Sequence, residues 1–140
     1  MAYGFNPPGI WGAQGWPFSQ GVIAGEGVTL HITGQVGWDA EGRLVGPGDA
    51  ATQAVQAFEN IRVILEAAGG ALEDIVALTI YFLDRGDLPA IREVRQRYLP
   101  MPGAPASTAV QVAGLVEPDL LVEFTPVALI PHKRFKQPKR

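Results

Sequence analysis

Ser107 and Thr108 stand side by side in the stretch Ala-Pro-Ala-Ser-Thr-Ala-Val-Gln-Val, residues 104–112, where hydroxyl and amide groups alternate with small apolar ones. Pro102 and Pro105 punctuate the approach, and the period of two that follows reads as a strand. Ser107, Ala109 and Gln111 then share one face, and Thr108, Val110 and Val112 share the other. The first face offers hydrogen-bonding groups of little bulk. It can pack under a second layer or line a pocket.

Other chemistry-bearing residues mostly exclude reactions. The chain has no cysteine, which removes thiolate nucleophiles, thiolate metal sites and disulfides and fits a reducing compartment. His31 and His132 are the two histidines, and no carboxylate stands at a spacing that would complete a zinc site with either, so no metal is expected. The two serines, Ser19 and Ser107, lie outside a nucleophile-elbow context. Lys133, Lys136 and Lys139 are the only lysines, so the body of the chain holds no Schiff-base lysine. Gly46-Pro47-Gly48-Asp49-Ala50-Ala51 superficially fits a dinucleotide fingerprint, but Asp49 would place a carboxylate where a pyrophosphate should bind. It reads instead as a helix N-cap loop. Arg85-Gly86-Asp87 reads as a turn.

The elements that must position these groups follow from periodicity. Residues 1–19, with Trp11, Trp16 and Phe18 among many glycines and prolines, read as a lead-in that packs its rings on the body. Residues 20–24 and 28–36 read as a hairpin around Gly25-Glu26-Gly27, and Gly34 marks a bulge or a close backbone approach. Asp49 caps a helix to about residue 68, with Val55, Phe58, Ile61, Leu65 and Ala68 on one stripe and Gly69-Gly70 as its stop. Residues 75–83 form an apolar strand buried on both faces. Leu88, Ile91, Val94 and Tyr98 define a second helix ending before Pro100. The strand of Ser107 comes next, and a last strand covers residues 120–130.

The order β-β-α-β-α-β-β predicts an α+β fold, a single mixed sheet with both helices on one face. Because residues 75–83 are apolar on both sides, the other face needs cover, and a second subunit is the expected source. Pro126 lacks a ladder donor, which predicts an edge or bulged position for the last strand.

Length and charge set the partners. The chain of 140 residues fits one domain, taken as residues 1–132 with a basic tail at 133–140. Five of the 11 basic residues lie in that tail, leaving 6 against 14 acidic residues in the body. An acidic body repels phosphate, so nucleic acid is not an expected partner and only the tail could attract it. The start of the chain lacks the basic and apolar pattern of a signal peptide, and no apolar run approaches the roughly 20 residues of a membrane helix. A cytoplasmic protein without membrane contact is expected.

Several short motifs in register resemble one family. Pro17-Phe18-Ser19-Gln20, Thr33-Gly34-Gln35-Val36, Gln53-Ala54 through Asn60-Ile61, Ala67-Ala68-Gly69, Asp74-Ile75-Val76, the strand from Pro105 to Val112, and Val122-Glu123 occur in the order seen in the RidA family. That family is also called the YjgF or L-PSP endoribonuclease family, and the likeness spans about residues 15–130. The resemblance implies a chorismate-mutase-like fold, a homotrimer, and small-molecule pockets at the subunit interfaces, with no cofactor. It implies hydrolysis of enamines and imines to keto acids and ammonia.

Carried over position by position, the resemblance places substrate binding on Phe18, Gly34, Ser107 and Thr108, and water placement on Thr125 and Glu123. Ser107 stands where the family arginine grips a carboxylate, Thr125 where a glutamate helps place water, and Phe18 where a tyrosine belongs. A serine hydroxyl offers one neutral donor in place of a bidentate guanidinium, a loss of about ten- to a hundredfold in affinity. Poor turnover of amino-acid-derived imino acids is therefore expected, unless Arg85, after the third strand, supplies the missing charge. A trimer that binds a metabolite without turnover is the alternative. Ribonuclease activity has only the tail in its favour.

Overall fold

The computed structural model describes residues 2–12, 15–100 and 102–140. The expected elements are present, preceded by one short strand more. They run β1 (Tyr3–Phe5), β2 (Gly21–Ile23), β3 (Val28–His31), α1 (Ala50–Ala67), β4 (Ile75–Phe82), α2 (Leu88–Tyr98), β5 (Ala106–Gln111) and β6 (Val122–Ile130). The main sheet has the order β3-β6-β4-β5, with β5 parallel to β4 and the other pairs antiparallel. Among the described residues, no helix is long and apolar enough to cross a membrane.

Both helices lie on one face of this sheet, for reasons visible in their sequences. Asp49 caps α1 by accepting the Thr52 backbone N–H at 3.1 Å and its hydroxyl at 2.7 Å, and these bonds hold its carboxyl below the ordinary aspartate range. The α1 stripe then buries Ala54, Phe58, Ile61 and Leu65. From α2, Ile91 and Val94 join them, and the sheet contributes Leu78, Ile80, Phe82, Val122 and Phe124. Phe58 is the centre of this core: its ring lies 4.9 Å from that of Tyr98 and 4.5 Å from that of Phe124. The opposite face stays open in the single chain, with Thr79, Tyr81, Glu123 and Thr125 half-buried and Thr108 exposed.

Two expectations need correction. The hairpin between β2 and β3 does not form, because β2 pairs with β1 and β3 pairs with β6. Gly25 supplies the expected turn at φ 77°, but Tyr-Gly-Phe at residues 3–5 offers β2 a nearer partner in a small sheet of its own. Nor is β6 an edge: it is interior, between β3 and β4. Pro126 is tolerated there because its carbonyl accepts the Ile32 N–H at 3.3 Å on the β3 side, just where β3 has ended, so the absent donor interrupts no ladder. Of the two positions expected from that proline only the edge fails: the β6 ladder is irregular nearby on the β4 side, where the register shifts between Ile75 and Ala77, opposite Ala128 and Val127.

The end of the chain docks on the body. Arg134 pairs with Asp74 at 2.6 Å and donates to the Gly69 carbonyl, and the Lys136 N–H donates to Ala68. Gly69 closes α1 at φ 79°, and a Cβ there would collide with the Arg134 carbonyl. Glycine at 69 thus both ends the helix and leaves room for the tail.

Candidate functional site

The first residue to place is Ser107. It pairs with Leu78 across the parallel β4–β5 ladder, as Ala109 pairs with Ile80 and Gln111 with Phe82. Partners across a ladder share a face, so Ser107, Ala109 and Gln111 lie on the helix side of the sheet, at its unpaired edge. There α2 does not fully cover them. The result is a cleft of about 540 Å³ between β5 and α2, closed at one side by the lead-in.

The lead-in is held in place by the approach to β5. The Ser19 hydroxyl donates to the Ala104 carbonyl at 2.5 Å, and the Ser19 N–H donates to Pro105 at 3.0 Å. Gly4 makes room for this contact, since a Cβ at that position would meet the Ser19 hydroxyl. Pinned in this way, Trp11, Trp16 and Phe18 gather at the mouth of the cleft, Trp11 5.5 Å and Trp16 6.3 Å from the Phe18 ring. Phe18 is half-buried, whereas Trp11 and Trp16 keep 62% and 47% of their surface exposed, so the rings wall the cleft more than they pack on the core.

Two cations complete it. The Arg92 guanidinium lies over the Trp16 ring, 4.2 Å from its centroid. Arg95 is 7% exposed, donates to the Pro17 carbonyl, and leaves its Nε–H without a partner. Burial, and then the neighbouring charge of Arg92, pull the Arg95 guanidinium down to about 10, so it remains charged at neutral pH. Among the described residues, no aspartate or glutamate lines this cleft. It is a cationic site with aromatic walls and two hydroxyls, Ser19 and Ser107.

The other expected site residues lie elsewhere. Glu123 pairs with Tyr81, and Thr125 pairs with Thr79, both on the open face. Gly34 sits against Glu123: a Cβ at 34 would come within 2.5 Å of the carboxylate. The ladder confirms the irregularity read from that glycine, because Ile32 bonds to Pro126 but Gln35 bonds to Phe124, one residue out of step. Arg85 is exposed, and its Nε–H donates to Gln111 at 3.2 Å. Four residues along β5 separate Gln111 from Ser107, roughly 13 Å at about 3.3 Å per residue. The structure therefore brings Phe18 and Ser107 together in one cleft, places Gly34, Glu123 and Thr125 on the open face together with Thr108, which pairs with Thr79, and leaves Arg85 at the far end of β5.

Arg92 and Arg95 were not singled out from the sequence. The signal was present: Arg95 falls seven residues after Leu88 and four after Ile91, on the apolar stripe of α2, where an unpaired charge is costly. A second, larger cleft of about 710 Å³ lies between the C-terminal ends of both helices and the tail. Its arginines, Arg62 and Arg134, are already paired with Glu59, Glu66 and Asp74. Among the described residues, no uncompensated cation lines it.

Comparison with known proteins agrees with this architecture. The endoribonuclease L-PSP family matches residues 13–130. The chain belongs to that family. A RutC family protein from Pyrococcus horikoshii is 38% identical over 112 residues, covering 80% of this chain and 86% of its own. Among solved structures, a Rid-family protein of unknown function from Yersinia pestis, YyfB, superposes with a TM-score of 0.86 at 31% identity, covering 92% of this chain and 98% of the other. RidA from an Antarctic Psychrobacter gives 0.69 at 36% identity, with coverages of 91% and 94%.

Proposed function

We propose that this L-PSP family member is a trimeric small-molecule hydrolase acting on imines or enamines, with the cleft between α2 and β5 as its substrate site. The observation that carries this reading is the cleft itself. Its volume suits a metabolite, its walls are aromatic and aliphatic, and a few polar groups converge in it beside Ser107. The half-open sheet face and the unpaired edge of β5 are the surfaces that would meet neighbouring copies in a trimer. Assembly would then bring the open-face groups Glu123 and Thr125 toward the contents of a cleft.

The reaction in this reading adds water to the C=N carbon while the nitrogen takes up a proton. The resulting carbinolamine releases ammonia and leaves a carbonyl. Glu123 is the carboxylate assigned to receive the water's proton, and Thr125, which cannot ionise, orients the water through its hydroxyl. Imines generated in place by an amino-acid oxidase should lose ammonia faster when the protein is added, and size-exclusion chromatography with light scattering should give a trimer mass. Unchanged ammonia release across a panel of imines contradicts the catalytic reading.

One observation favours binding without turnover: among the described residues, none that lines the cleft around Ser107 is a carboxylate. On that alternative, ligands raise the melting temperature and no substrate is consumed. Ribonuclease activity finds less support. The body is acidic, and Arg134 of the basic tail is engaged with Asp74.

A further inference from the structure

We propose that Arg92 and Arg95 of α2 bind the carboxylate of a small ligand whose apolar or aromatic body lies against Trp16 and Phe18, with the Ser107 hydroxyl as a further donor. The inference rests on the proposed location of the substrate site and names the class of ligand it takes, an apolar-bodied monocarboxylate.

Three observations converge on it. Arg95 is more than nine-tenths buried in the cleft with one N–H unpaired, and it makes no ion pair among the described residues. Arg92 is close enough to disfavour its charge, and its own guanidinium rests on an indole face and, among the described residues, makes no ion pair. A buried guanidinium lacking a counter-ion, next to a second one, is an arrangement that an anion completes. Both cations line the same cleft as Ser107. The cation that β5 lacks at Ser107 is thus supplied across the cleft by the facing helix, and the weak carboxylate binding expected from Ser107 alone is replaced by charge-assisted binding. A guanidinium can hold a carboxylate through two parallel hydrogen bonds. The flat walls select what is attached to it, because rings stack on Trp16 and Phe18 while strongly hydrated bodies lose their water there.

The test uses the full chain and isothermal titration calorimetry with phenylacetate and its neutral amide, phenylacetamide. The protein should bind phenylacetate at least about tenfold tighter than the amide. Arg95→Met and Arg92→Gln should each weaken phenylacetate binding by about ten- to a hundredfold. Arg95→Lys, which keeps the charge, should lose less than Arg95→Met, and Arg43→Gln, at an exposed ion pair, should lose nothing. Circular dichroism and light scattering verify fold and mass for each variant. Arg92→Gln supplies the same reading if Arg95→Met does not fold. Equal binding of acid and amide, no binding of phenylacetate, or unchanged affinity in Arg92→Gln and Arg95→Met overturns the inference. Loss of the trimer in Arg95→Met with no effect on ligand overturns it too, since the counter-ion is then a neighbouring subunit's carboxylate. Because binding is read without turnover, a protein that binds phenylacetate but releases no ammonia contradicts only the hydrolase assignment.

Discussion

Each helix buries one polar side chain against the same sheet, and the two are treated in opposite ways. Gln53 of α1 is fully buried and fully bonded: its amide nitrogen donates to the carbonyls of Gly46 and Asp119 at 3.1 Å, and its oxygen accepts the Leu121 N–H at 2.9 Å. It joins the loop before α1 to the start of β6. Arg95 of α2 is almost as buried, yet it carries a charge, makes one bond to the lead-in 78 residues away, and leaves an N–H free. A satisfied buried amide is a structural joint, whereas an unsatisfied buried cation is a cost the fold accepts without a structural return. That contrast separates the part of this molecule that holds its shape from the part available to a ligand.

The contrast can be broken by substitution. The largest effect on stability is expected for Gln53→Leu, which leaves the Asp119 carbonyl and the Leu121 N–H unpaired, while the Gly46 carbonyl keeps its bond from the Asp49 N–H, and should cost about 2–4 kcal/mol in urea unfolding. Phenylacetate affinity should not change. Arg95→Met should move stability by no more than about 1 kcal/mol in either direction, since removing an unpaired buried charge offsets the lost bond to Pro17. A loss as large as that of Gln53→Leu would make Arg95 a structural joint as well. Trp16→Ala, which removes the ring beneath Arg92, should weaken phenylacetate binding by about two- to fivefold, in line with a partly exposed cation–π contact of roughly 0.5–1 kcal/mol.

The smallest effect concerns the bridge between the helices. Glu59 of α1 accepts from Arg62 and from the Tyr98 hydroxyl of α2, and these two bonds hold its carboxyl below the ordinary glutamate range. The folded chain therefore keeps Glu59 ionised at a pH where the unfolded chain has already taken up the proton. Its contribution is complete above the unfolded value and vanishes as pH falls through the lowered folded value. Glu59→Gln should be slightly less stable than the parent near pH 7, and the gap should close toward pH 3 in parallel urea titrations. A gap that persists unchanged in acid contradicts the assignment.

Much of the fold was legible because its signals are local. The stripe of Phe58, Ile61 and Leu65, the Asp49 cap, the Gly69 stop and the apolar run of β4 each depend on residues a few positions apart. The position of β6 was not legible. Pro126 argued for an edge or a bulge without deciding between them, and only the point at which β3 stops, set by a contact between distant residues, makes an interior proline harmless. The strand pairing of residues 3–5 with β2 was hidden for the same reason, since three residues carry no period. Of the candidate site, the strand of Ser107 was visible, but the two arginines facing it were not. A charged residue on a helix reads as solvated by default, and the lead-in that buries Arg95 and places Trp16 under Arg92 is brought there by Ser19 bonding to Ala104.

The most direct measurement of the central claim is a crystal structure of the full chain with phenylacetate. The predicted result is a carboxylate within hydrogen-bonding distance of Arg92 or Arg95, beside Ser107, with its ring against Trp16 and Phe18. A ligand seated on the open face by Glu123 and Thr125, with neither guanidinium in contact with it, would contradict the claim.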